Sequence, residues 1–145
     1  MTISKYLRLS GGPPTPTVPG LTPSPGEAIV AHLKATLPAF GVQVLGHEDV
    51  EYAHELKCTV RARTYCVSVS YDWVSAGWWE VFWNPVIGLI GKLRGQSEED
   101  ELRCLAMAVS QSLDSLSGIQ ERRWYKEYGV GVGPETPYSL TPQFE

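Results

Sequence analysis

Residues 65–73 read Tyr-Cys-Val-Ser-Val-Ser-Tyr-Asp-Trp, and their two-residue alternation decides the fold. Tyr65, Val67, Val69, Tyr71 and Trp73 fall on one side, while Cys66, Ser68, Ser70 and Asp72 fall on the other. Successive side chains of a strand point to opposite faces, so this pattern marks a strand with one buried face. The preceding residues 54–61 alternate as well, with Leu56, Cys58 and Val60 set against Glu55, Lys57, Thr59 and Arg61. Residues 78–83 follow, with Trp79, Val81 and Trp83 on the core side and Trp78, Glu80 and Phe82 on the other. The loops between these three strands are short, which requires antiparallel pairing.

The expected register pairs Val60 with Tyr65, Cys58 with Val67 and Leu56 with Val69. By the same spacing, Trp79, Val81 and Trp83 face Trp73, Tyr71 and Val69. Pairing Cys58 with Cys66 would turn one apolar row over to the polar face. Burying both rows outweighs the roughly 2–4 kcal/mol of a disulfide. Cys58 is therefore expected in the core and Cys66 away from it, with no bond between them.

Outward from this meander, two helices can be read. The first is expected to start at Ser24 as N-cap, with Pro25 in the first helical position and Glu27 closing a capping box. Ile29, Val30, Leu33 and Leu37 form its apolar stripe, and Pro38 marks its end. The second is expected to start at Ser97, with Glu98, Glu99, Asp100 and Glu101 complementing the helix dipole. Leu102, Leu105, Val109, Leu113 and Leu116 line one side, and Gly118 ends it. Val42, Val44 and Leu45 suggest a short strand, Gly46-His47-Glu48-Asp49 a turn, and residues 119–125 a final strand. Residues 86–95 read as a loose helical turn or a loop.

Residues 1–25 carry Pro13, Pro14, Pro16, Pro19, Pro23 and Pro25, six of the eleven prolines, and read as an irregular leader. Residues 26–127 are expected to form a single domain, and the Gly/Pro-rich residues 128–145 an irregular tail. The fold expected is two-layer α+β, an antiparallel sheet of four to five strands with both helices on one face, in the order α-β-β-β-β-α-β.

Composition narrows the function. The 145 residues are 43% hydrophobic and 19% charged, with five tryptophans and a net charge of -4. That much apolar content argues against a wholly disordered chain, and the acidic balance argues against a general nucleic-acid binder. No apolar run reaches the ~18 residues of a membrane span. The three cysteines are too few for a disulfide framework. After Lys5 and Arg8 comes Gly11-Gly12-Pro13-Pro14 rather than the apolar core of a secretory signal, so a reducing cytoplasm is the expected setting.

No catalytic set emerges. His47 and His54, with Glu48, Asp49, Glu51 and Glu55, are the densest group of metal-ligating types, but their spacing fits no known ligand motif and reads as a solvated acidic connection. Cys58 and Cys104 lie on apolar stripes, and no histidine is forced near Cys66. Neither a Gly-x-Ser-x-Gly elbow nor a phosphate loop occurs. No metal or other cofactor is expected, and no catalysis.

The surplus aromatics carry the functional expectation. Trp78 and Phe82, with Glu80, stand on the sheet face away from the helices, and Arg122, Arg123 and Trp124 extend the patch if the last strand lies at an edge. Aromatic and arginine side chains are enriched where proteins bind proteins. The expectation is a binding module of the toxin-neutralising or secretion-chaperone kind, acting on a basic partner protein. The alternatives are a homodimer through the same face, and a small-ligand protein or enzyme with a pocket between the sheet and residues 86–95. Tyr71, Trp79 and Trp83 would line that pocket, with His47 or His54 at its rim.

Overall fold

Two-residue alternation fixes which face a side chain takes, but it leaves the register free to slip by two. The computed structural model describes residues 6–11, 26–50, 53–61, 63–72, 77–85, 98–126 and 136–142. It contains β1 (Tyr6–Gly11), α1 (Glu27–Thr36), a single 3-10 turn (Leu37–Phe40), β2 (Gln43–Asp49), β3 (Ala53–Val60), β4 (Arg63–Tyr71), β5 (Trp78–Pro85), α2 (Glu98–Asp114) and β6 (Ile119–Tyr125). Val60 pairs with Arg63, Cys58 with Tyr65 and Leu56 with Val67. The first hairpin is thus two residues tighter than expected. Arg61, at φ 57, takes the left-handed conformation that a two-residue connection requires. In the second hairpin, Trp79, Val81 and Trp83 face Tyr71, Val69 and Val67, which slips it two residues the other way. Trp73 lies outside the described residues.

Both slips preserve the faces. Leu56, Cys58, Val60, Tyr65, Val67, Val69, Trp79, Val81 and Trp83 are all buried. Cys58 and Cys66 stand on opposite faces, and both are free thiols. Burial pushes the Cys58 thiol up to about 12, so it is inert at neutral pH.

The sheet is antiparallel and has six strands, in the order β2-β3-β4-β5-β1-β6, where four to five were expected. The added strand is β1, from the stretch read as irregular leader, so the element order is β-α-β-β-β-β-α-β. β1 sits between β5 and β6, with Leu7 facing Val81 and Trp124, and Leu9 facing Trp79 and Arg122. Leu7 and Leu9 have no exposed surface. The short strand expected near Val44 continues through His47, Glu48 and Asp49, which are strand rather than turn. Its register shifts between Val44 and Gly46, which leaves Leu45 exposed. At the far edge, the described part of the tail bridges β6. The Trp124 N–H donates to the Ser139 carbonyl at 2.8 Å, and the Ser139 N–H to Trp124 at 2.9 Å.

Both helices bury their stripes in one cluster with the same sheet face: Ile29, Val30, Leu33, Leu102, Leu105, Val109 and Leu113 join Leu7, Leu56 and Val81. The N-cap of α1 is Gly26 rather than Ser24, which lies outside the described residues with Pro25. Gly26 has φ 104, and a Cβ there would stand 3.1 Å from Trp79 Cζ3. The helix therefore starts where the chain presses against the Trp79 ring, and only glycine fits both the dihedral and the space. In α2 the acidic run does more than complement the dipole. Glu101 is buried, accepts a hydrogen bond from the Tyr65 hydroxyl at 2.9 Å and lies 3.2 Å from Arg63 Nε. The expected Ser97 cap and residues 86–95 lie outside the described residues.

Leu7→Ala is expected to cost about 2–5 kcal/mol in urea unfolding, as for a fully buried leucine. A loss within about 0.5 kcal/mol, the range of surface substitutions, would place β1 outside the folded core.

Candidate functional site

The sheet face away from the helices is built in rows by the register. Ser68, Phe82, Tyr6 and Tyr125 form one row across β4, β5, β1 and β6. Ser70, Glu80, Arg8 and Arg123 form the next. Trp78, Ser10 and Glu121 form the third, beside Asp72, whose N–H donates to the Trp78 carbonyl at 2.9 Å. This face is not simply left to water: Tyr6, Arg8, Ser68 and Tyr125 are buried, and Trp78, Glu80 and Phe82 are half-buried.

The second row holds a conflict, because Arg8 stands directly across from Arg123 and like charges in that position repel. Four contacts resolve it. Arg8 Nη2 donates to Asp72 Oδ2 at 2.6 Å, and Arg123 Nε donates to Glu121 Oε2 at 2.7 Å. Both guanidinium groups also lie over the Trp78 ring, Arg8 at 5.1 Å and Arg123 at 4.6 Å from its centroid. The electron-rich faces of the indole attract each cation. Arg123 further stacks on Tyr138 at 4.7 Å, and Tyr138 packs against Tyr125 at 6.1 Å. Trp78 is therefore the hub of an aromatic and guanidinium cluster drawn from β5, β1, β6 and the tail.

Next to it, the Tyr6 hydroxyl donates to Glu80 Oε1 at 2.8 Å. Burial pushes the Glu80 carboxyl above its usual range, with the charge of Asp72 adding to the rise. Burial and the Glu80 charge together push the Tyr6 hydroxyl far up. The shared proton therefore stays on the tyrosine oxygen.

Of the six residues predicted for the patch, Trp78, Glu80, Phe82 and Arg123 share this face. Arg122 and Trp124 point to the other side. Arg122 Nη1 donates to Asp114 Oδ1 at 2.8 Å and to the Ser110 carbonyl at 3.2 Å, tying β6 to the end of α2. Trp124 is buried edge-on against Trp83, with centroids 5.9 Å apart. Sequence reasoning missed Tyr6, Arg8, Tyr125 and Tyr138. Tyr6 and Arg8 carried a signal, since they alternate with Leu7 and Leu9.

Residues 86–95, one wall of the alternative pocket, lie outside the described residues. Trp79 and Trp83 are core side chains, Trp79 packed edge-on to Tyr71 at 4.8 Å. His47 and His54 sit at the β2 edge, strands away from β5. A separate open groove of about 570 Å³ is lined by Gly46, His47, Glu48, Glu55, Lys57 and Cys66. Burial raises the Cys66 thiol, and the Glu55 and Glu48 charges raise it further, so it is not an activated nucleophile. Among the described residues, no three His, Cys, Asp or Glu side chains are grouped to enclose a metal ion. No protein-family model, curated protein or solved structure matches the chain.

The raised Glu80 carboxyl has a stability consequence. The folded state holds this proton more tightly than the unfolded chain, so the contribution of Glu80 to stability is fully present below the unfolded value near 4.5 and is lost as pH rises through the higher folded value. Glu80→Gln keeps an acceptor for Tyr6 and removes the charge. Urea midpoints from pH 4 to 8 should fall less steeply for this variant than for the parent, and the variant should be the more stable at pH 7. A parallel pH dependence in both proteins would contradict the assignment.

Proposed function

We propose that this protein acts by binding a partner protein, without catalysis of its own, through the sheet face centred on Trp78. The observation that carries the reading is the Trp78 ring, half-exposed and stacked with both Arg8 and Arg123. A rigid aromatic with fixed guanidinium neighbours loses little entropy on docking, and such side chains dominate binding energy at protein interfaces. Glu80 and Phe82 follow Trp78 along β5 on the same face and, with Arg123 over the ring, complete the contact patch. Arg122 and Trp124 support it from the opposite face. The net charge of -4 suits a basic partner, as for a toxin-neutralising protein or a secretion chaperone acting in a reducing cytoplasm.

The test compares Trp78→Ala and Phe82→Ala with the parent, using the immobilised full chain and extract of the native host. Partner recovery should fall by about 30-fold for Trp78→Ala, the loss of a hot spot near 2 kcal/mol. Its stability should drop by only about 1–2 kcal/mol, for two lost cation–π contacts. Trp79→Ala should cost about 3–5 kcal/mol as a buried aromatic. Equal recovery on parent and Trp78→Ala, or equal destabilisation by the two tryptophan variants, would sink the reading.

A further inference from the structure

At the opposite edge of the sheet, the segment read as a turn is strand, and this brings two histidines together. His47 Nε2 and His54 Nδ1 face each other at 2.8 Å, with the ring centroids 5.0 Å apart. His47 lies across from the buried Leu56 in the β2–β3 register and His54 across from Asp49, so all three positions share the helix-covered face. Asp49 is also two residues along the strand from His47. His54 is 1% exposed, whereas His47 is open to solvent at the edge. Lys34 of α1 stands 3.5 Å from His47 Nδ1. A lysine ammonium can only donate, so this neighbour leaves the His47 proton on Nε2, pointing at His54 Nδ1.

We propose that His47 and His54 form a binding site for one divalent transition-metal ion of the zinc, nickel or copper class. Imidazole nitrogens are the donors such ions prefer, and two of them stand in contact here. Metal–nitrogen bonds of about 2.0–2.1 Å, at right to tetrahedral angles, set the two nitrogens about 2.8–3.4 Å apart. From 2.8 Å the pair therefore needs to open by at most about 0.6 Å, while His47, on the edge strand, turns its Nε2 toward the ion. His54 already presents a bare Nδ1. His47 coordinates through Nε2 once its proton passes to Nδ1, which displaces Lys34 and leaves both rings neutral, with no net proton lost. Asp49 and Glu27 bring negative charge toward His47 and oppose the lysine. With two protein ligands, water fills the remaining positions, and the ion crosslinks β2 to β3.

The full chain titrated separately with Zn²⁺ and Ni²⁺ in a non-chelating buffer should bind one ion, and its melting temperature should rise with ion concentration. His32→Ala removes the remaining histidine, which bonds to Ser112 and Ser115 on α2's side, and should bind as the parent does. Cys66→Ser should also bind as the parent does, His47→Ala should lose the ion, and Lys34→Met should bind more tightly. Ni²⁺ should broaden the imidazole proton resonances of His47 and His54 and spare those of His32, a readout that needs no variant to fold. The proposal is overturned if the parent binds neither ion, if His47→Ala binds equally well, if Cys66→Ser abolishes binding, or if Ni²⁺ broadens His32 instead.

Discussion

A slot between two parallel strands governs this structure. β5 and β6 are both antiparallel to β1, so they run the same way and cannot be joined by a tight turn. The chain leaves the sheet after β5, builds α2 and returns as β6 with a gap beside it. β1 fills that gap, and Leu7 and Leu9 complete the apolar surface on which the helices rest. The same strand delivers Tyr6 and Arg8 to the other face. One insertion therefore closes the core and builds the Trp78 cluster.

The polar side of the molecule follows a consistent rule: a charge placed where it is costly is given more than one partner. Glu101 lies in the core-facing layer with both Tyr65 and Arg63 against it. Arg8 and Arg123, forced together by the register, share one indole and take one carboxylate each. Breaking such a group leaves a desolvated charge behind, which costs more than the contact itself contributes. The Arg8 and Arg123 group therefore fixes the register of β1, and the Glu101 group the seat of α2 on β4, more firmly than their net energy suggests.

Much of this was legible in the residues. Alternation gave the faces of β3, β4 and β5 and the separation of Cys58 from Cys66, and three- and four-residue spacing gave both helix stripes. It could not give the register, because a slip of two preserves every face and only the local turn decides. β1 was hidden by its surroundings: its Leu7-Arg8-Leu9 alternation is short, and the prolines that follow dominated the composition. The face of Trp78 could be read from β5 alone. Its stacking partners could not, because Arg8 and Arg123 come from strands whose placement depends on long-range pairing. Arg123 and Trp124 are neighbours on one strand and so take opposite faces by alternation alone, while pairing with β1 decides which of them joins Trp78.

The position of β1 also has a consequence for assembly. It is synthesised before either strand that flanks it, and its partner β6 is the last strand of the sheet to be made. The meander of β2 to β5 can pair locally as it emerges, whereas Leu7 and Leu9 must wait until α2 and β6 have followed. Closing such distant contacts is entropically slow and leaves apolar strand edges open in the meantime. During that wait the unpaired rims of β5 and β6 are the part of the chain most exposed to wrong pairing, and docking of β1 is the step that ends the exposure.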